Sequence, residues 1–348
     1  MRVAVLGHSA LNIAPAVAAD LALRGWEVAW WPAPPEVWEG GGIQVRGGHA
    51  HLDAEAGDFA RVRPAASAEA ALAEARVVIT DIPPERLVAE VGAVAPAIRP
   101  GALLHVQSHG YWPALRLAAA LRRRDIILTD SSAPTHAAGF RQGLLVPHWR
   151  RQGLRFSAVQ GDPMALLRQL YPGAEAAGSA LETGLEGINL MVHPALSLLN
   201  IAAFERAGEA GQGFGFYAEG NTASTGMLAA ALDAERGAIC LALGVRHRTL
   251  PQALAAMYGA RGDDPLEAVA TCAFYQGLGA LPADSWRRWA VQDLPFAIMP
   301  LLRLAERAGV QAPVHTAIAA IHGILLGQAA GAPELGWLGP HLPSGDMP

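Results

Sequence analysis

Asn189, His193 and Asn200 interrupt an apolar run from Gly187 to Asn200. They are spaced four and seven apart, so on a helix they share one face. Pro194 follows the histidine directly. Inside a helix a proline costs roughly 3 kcal/mol through its lost N–H and its clash with the preceding turn. A polar stripe beside a helix defect is expensive, which points to a purpose, although one buried histidine is ordinarily just a hydrogen-bonded core residue. An imidazole can take and give a proton near neutral pH. Far downstream, Arg288 and Asp293 form a second polar cluster within Trp286–Pro295. Asp293 reads equally as a functional carboxylate or as the N-cap of the helix after Leu294 and Pro295.

The chain contains no lysine, and all 26 of its basic residues are arginine. That excludes Schiff-base chemistry, a P-loop lysine and every dehydrogenase class with a catalytic lysine. A net charge of −5 gives no basic face for phosphate contacts, so nucleic acid is not an expected partner. At 348 residues, 52% of them hydrophobic, the chain has enough apolar material for two cores. No apolar stretch reaches 18 residues unbroken and no leader pattern opens the chain, so neither membrane nor secretion is expected and the placement is cytoplasmic. Cys240 and Cys272 read as reduced core residues. His315 and His322, seven apart, are two ligands without a third, so no metal site is expected.

These residues must be carried by elements. Residues 2–6 read as a strand, followed by a Gly7 turn, a helix stopped by Gly25, and a strand over Glu27–Trp31. Dinucleotide-binding domains open in this way. The glycine positions of that fingerprint fall on Gly7, Ser9 and Asn12. The loop Gly7, Ser9, Ala10 and Asn12 is the expected cofactor contact, with Asn12 also able to cap the helix. The acid that usually ends the second strand is replaced by Trp31-Pro32. Alternation continues: helix 66–75, strand 77–80 before Asp81, helix 85–98, strand 103–106, helix 112–123 and strand 126–129 before Asp130. Strands near 43–46, 144–146 and 155–158 and a helix near 164–170 complete it. Ligands in such sheets bind beyond the strand carboxyl ends, which adds His109 and Gly110 to the cofactor residues. From about residue 179 strand signals vanish. Helices are expected at 179–206, 222–246, 251–258, 264–274, 295–309 and 314–328, with a loop over 208–220 and an irregular tail after 329. The expected fold is therefore an α/β Rossmann-like doubly wound domain, 1–178, followed by an all-α domain, 179–348.

The helical half resembles the opine dehydrogenases. The resemblance rests on four motifs in order: Asn189-Leu-Met-Val-His193-Pro194 with Asn200; Phe214-Gly-Phe-Tyr-Ala-Glu219-Gly220; Asp233-Ala-Glu235-Arg236 before Leu243-Gly244; and Arg288-Trp289-Ala-Val-Gln292-Asp293-Leu-Pro295 before Gly309-Val-Gln-Ala-Pro313. It covers about residues 179–330 and implies a catalytic dyad of His193 and Asp293. It also implies NAD or NADP as cofactor, and reductive condensation of a 2-oxo acid with the amino group of an amino acid or amine. Arg288 and Asn189 are then the expected substrate-binding residues, Arg288 through two parallel bonds to a carboxylate. Gln292 departs from the acid usual before the aspartate. Rival readings are a simple 2-oxo acid or imine reductase on the same scaffold, or a ligand-binding relative that has lost the cofactor. The apolar helical surface is enough for a homodimer.

Overall fold

The computed structural model describes residues 1–107, 110–327 and 335–341. Two compact units divide the chain: Met1–His109 with Pro113–Thr183, and Gly110–Trp112 with Gly184–Pro348.

The first unit is an α/β domain. Its strands are β1 (Arg2–Gly7), β2 (Glu27–Trp31), β3 (Ile43–Val45), β4 (Phe59–Ala60), β5 (Val62–Pro64), β6 (Val77–Asp81), β7 (Leu103–Val106), β8 (Ile127–Ser131), β9 (His136–Arg141), β10 (Leu144–Arg150), β11 (Arg155–Ala158) and β12 (Glu175–Ala176). Eight of them form one sheet in the order β12-β11-β8-β7-β6-β1-β2-β5, parallel except where β11 opposes β8. Burial on both faces explains why these strands are continuous apolar runs. From β1 the chain steps to β2 on one side and later to β6 on the other, so the strand order reverses at β1/β6. Doubly wound sheets open a ligand crevice at such a point. Gly7 and Asp81 pair in register across it.

The helix Ile13–Leu23 is buried nearly all round, because it packs on β1 and β2 on one side and on β4 and β9 on the other. Its run of alanines permits that close approach. The strands expected near 43–46 and 144–146 do form, but in a separate four-stranded sheet, β4-β3-β10-β9. The hairpin partner β9 carried no clear strand signal, because Thr135-His-Ala-Ala-Gly has little β-branched content. The helix expected over 66–75 shortens to Ala68–Leu72, since Glu74 adopts a left-handed φ of 63°.

The second unit is helical. The single helix expected over 179–206 is broken at Glu186 and Gly187, and again at Met191, into Ala180–Leu185, a 3-10 turn Ile188–Leu190, and Val192–Glu209. By length and composition Ile188–Glu209 meets the requirement for a membrane span, contrary to the sequence expectation, and more than half of it is buried within the fold. Ala223–Ala242 and Ser285–Asp293 cover it. The helix expected from 295 begins earlier: Ser285–Asp293 runs through a π turn, Leu294–Ile298, into Met299–Arg307. Pro295 explains the wide turn, because an α turn would set its ring against the carbonyl four residues back.

Candidate active site

His193 is the second residue of the helix Val192–Glu209, and Pro194 the third. First-turn amides have no intrahelical partner, so Pro194 removes no bond and the expected kink is absent. Asn189 lies in the preceding 3-10 turn, not on the helix face of His193. It is buried and makes no hydrogen bond to the described residues. Asn200 serves a different purpose. Its amide donates to Leu196 O (2.7 Å) and Gly220 O (3.0 Å), clamping the end of the aromatic loop Phe214–Gly220.

Asp293 closes the helix Ser285–Asp293 and is not an N-cap. Helical φ/ψ at Asp293 and Leu294 carries the chain straight on into the π turn, so no cap is needed there. The Asp293 side chain is 2% exposed. Its Oδ2 lies 2.9 Å from His193 Nδ1, and its Oδ1 accepts the Tyr111 hydroxyl at 2.6 Å. A carboxylate only accepts, so Nδ1 carries the proton and Nε2 is the ring's free acceptor. Trp289, one helical turn before Asp293, stacks on the imidazole with centroids 4.5 Å apart and planes 17° apart. Phe216 packs edge-on against His193 and tilted against Trp289. The result is an imidazole fixed in position and tautomer, walled by aromatic rings, with one basic nitrogen available.

Tyr111 and Trp289 were not singled out from sequence as functional. Trp289 had a signal, its i, i+4 spacing to Asp293. Tyr111 had none, being 182 residues from its partner. It stands on Gly110–Trp112, a strap that groups with the helical unit. Gly110 has φ 86°, and a Cβ there would sit 2.6 Å from Gly187 Cα, so only glycine allows this approach. Gly110 thus has a structural task beside the cofactor role expected of it, and His109 lies outside the described residues.

Arg288 is half exposed. Its Nη2 donates to Ser285 Oγ at 2.9 Å, and its Nε lies 3.6 Å from Asp284. Five positions place it roughly 140° around the helix from Asp293, and no hydrogen bond joins it to either dyad residue. The Asp233/Glu235/Arg236 motif is a scaffold. Asp233 caps the helix Leu250–Tyr258 through Leu250 N (2.6 Å), and Arg236 holds Leu185 O (2.8 Å). Glu235 accepts Val314 N, His315 N and His315 Nδ1 at the start of the last long helix. His315 is therefore tied to Glu235, while both ring nitrogens of His322 are buried without a partner among the described residues. Among the described residues, one cluster has metal-ligating types at short range, Asp20, Asp53 and His136. Its carboxylates are held by Arg24 (3.0 Å) and Arg150 (2.7 Å).

In the first unit, Gly7 has φ 92°, and a Cβ would meet Asp81 O at 2.5 Å. Trp30 Nε1 donates to Gly7 O (2.9 Å) and fixes the turn. His8 is exposed, with Nε2 2.9 Å from Asn12 Oδ1. Asn12 does not cap the helix. In a left-handed conformation its amide donates instead to Ala138 O at 3.0 Å. The helix start is capped by Asp81, whose Oδ2 accepts Ala14 N (2.8 Å) and Ser9 N (3.1 Å). Between these, the amides of Ala10 and Leu11 have no partner among the described residues. Two free amides in a turn ahead of an 11-residue helix, at the sheet's switch point, suit a dinucleotide's diphosphate. Gln107, beyond β7, bonds Thr135 and Tyr171 (both 3.1 Å). Asp130, near the carboxyl end of β8, accepts Ser157 and Thr183 hydroxyls, and burial pushes its carboxyl up to about 6.

Residues 176–326 match the family model for the NAD/NADP octopine/nopaline dehydrogenase alpha-helical domain. An opine dehydrogenase from Arthrobacter sp. (strain 1C) is 26% identical over 331 residues, 90% of this chain and 88% of that protein. Octopine dehydrogenase in complex with NADH and agmatine superposes with a TM-score of 0.74 at 19% identity, over 94% of this chain and 90% of the other. NADP+-bound yersinopine dehydrogenase gives 0.65 at 14% identity, over 98% and 92%. A ketopantoate reductase from Ralstonia eutropha JMP134 gives 0.60 at 17% identity, over 94% and 99%, so the two-part architecture extends to enzymes of another reaction. These likenesses in structure carry the fold, an α/β doubly wound domain followed by a helical one, and the helical half is similar to the alpha-helical domain of the octopine/nopaline dehydrogenases.

Proposed function

We propose that this protein is an NAD(P)H-dependent opine dehydrogenase that condenses a 2-oxo acid with the amino group of an amino acid or amine and reduces the product at the C–N bond. The observation that carries this is the His193–Asp293 dyad inside that family's helical domain, with Nε2 left free. When bound, the dinucleotide supplies the hydride, and the free amides of Ala10 and Leu11 are the groups that would take its diphosphate. The chain's own residues manage protons. His193 Nε2 takes a proton from the amine as its nitrogen bonds the carbonyl carbon. It returns that proton to the oxygen to give the carbinolamine, and a second proton carried the same way from the nitrogen to the hydroxyl releases water and presents the carbon as an imine to the hydride. Asp293 steadies the transient imidazolium, and Tyr111 holds Asp293. Asn189, with an unbonded amide, and Arg288, tied only to Ser285 and a solvent-exposed Asp284, are the groups with donors to offer substrate carboxylates. Without a lysine in the chain, the nitrogen must come from the substrate.

Absorbance of NADH or NADPH, followed with pyruvate alone and then with pyruvate plus single amino acids or amines, tests the reading. Oxidation that requires both substrates is expected. Oxidation with the oxo acid alone would replace it with a simple reductase. His193→Ala should lower turnover by about 10²- to 10⁴-fold with nucleotide affinity unchanged. Turnover near the parent level would remove the role given to His193.

A further inference from the structure

The amides that open the helix Ile13–Leu23 are partly occupied by the protein itself. Asp81, at the carboxyl end of β6, sends its carboxylate across the switch point to Ser9 N and Ala14 N. It is 2% exposed and forms no ion pair among the described residues. Burial raises its pKa, and the hydroxyl and amide of Ser9, the amide of Ala14 and nearby His8 only partly offset this. The helix Ile13–Leu23 has no charged residue in its first turn to balance it. A diphosphate bound at Ala10 and Leu11 would therefore lie between two amides already taken by the buried Asp81 carboxyl group, whose ionised form opposes it. Charges a few Å apart in a protein interior repel strongly, and the helix-start field is shared between them.

We propose that Asp81 sets the cofactor affinity of this protein by opposing the diphosphate, as a specificity-determining residue of the nucleotide loop. The inference rests on the NAD(P) reading above. Asparagine keeps one acceptor for Ala14 N and removes the charge, and Asp81→Ser keeps a smaller neutral acceptor. The test titrates NADH and NADPH into the full-length chain and both variants by nucleotide fluorescence, with thermal unfolding run in parallel to identify a folded variant. The expected result is a dissociation constant about tenfold lower, or lower still, in at least one folded variant. Equal or weaker binding in the folded variants, with measurable binding by the parent, overturns the role of Asp81 and leaves the cofactor reading intact. Binding by a variant but not by the parent supports the proposal. Absence of binding by parent and variants alike overturns both.

Discussion

At the scale of single residues, the dyad is held from both sides. Asp293 has two oxygens and each has one donor, Tyr111 at Oδ1 and His193 at Oδ2. The hydroxyl draws carboxylate charge away from the imidazole and fixes the rotamer that Oδ2 needs. Tyr111→Phe keeps the ring and deletes only the donor. Its expected effect is a roughly tenfold fall in turnover with unchanged NADH binding. Turnover at the parent level would reduce Tyr111 to a packing residue. Of this cluster, His193 and Asp293 were legible from residue type, neighbouring proline and motif order. Trp289 was legible only in hindsight from helical spacing, and Tyr111 not at all, because a hydroxyl–carboxylate bond across 182 residues leaves no local trace.

At the scale of elements, the position of a residue within its helix changes its cost. Pro194 reads as an interior proline if the helix starts near 179, and it is a first-turn proline because the segment breaks at Glu186–Gly187 and restarts at Val192. Pro194→Ala should therefore change stability by less than about 1 kcal/mol, against roughly 3 kcal/mol for a proline relieved from a helix interior. Chemical denaturation of the two chains decides it, and a gain near the larger figure would mean that the helix begins earlier. Pro295 is the opposite case. It truly sits inside a helix, and the backbone answers with a π turn one residue after Asp293. Strand and helix alternation in the first unit was readable because periodicity and turn residues are local signals. The small sheet was not, because β9 pairs through its backbone and carries weak strand propensity.

At the scale of the whole molecule, burial of neutral imidazoles sets a pH limit. Burial lowers His105 to about 3, drives His136 well below its ordinary value with help from Arg150, Arg24 and Arg151, and lowers His322 against the pull of Asp293. In the unfolded chain these groups protonate near 6.5. Below that pH the unfolded state binds more protons than the folded one, so stability falls as pH drops. Asp130, raised to about 6, works in the other sense, since the folded state takes up its proton first as pH falls below that value. Burial raises Asp20 and Asp81 as well, and both act in the same sense as Asp130. The melting temperature should thus decrease from pH 7.5 to 5.5, with a loss of roughly 1 kcal/mol per buried histidine at the lower pH. A flat or rising melting curve over that range would mean that these histidines are solvated or charged in the fold.

What the sequence determined by itself is what local chemistry can carry: the alternating strands and helices of the first half, the helical second half, the exclusion of lysine chemistry, and the pairing of His193 with Asp293 through a family of motifs. What only the tertiary structure decided is which groups those residues meet. Asn12 points to Ala138 instead of capping its helix, Asn200 clamps a loop, Arg288 faces outward to Asp284, and Asp81 takes the helix-start amides. The physical reason is the same in each case. Periodicity and propensity act over a turn or two of chain, whereas a polar side chain is satisfied by whichever donor or acceptor packing brings within about 3 Å, however distant in sequence.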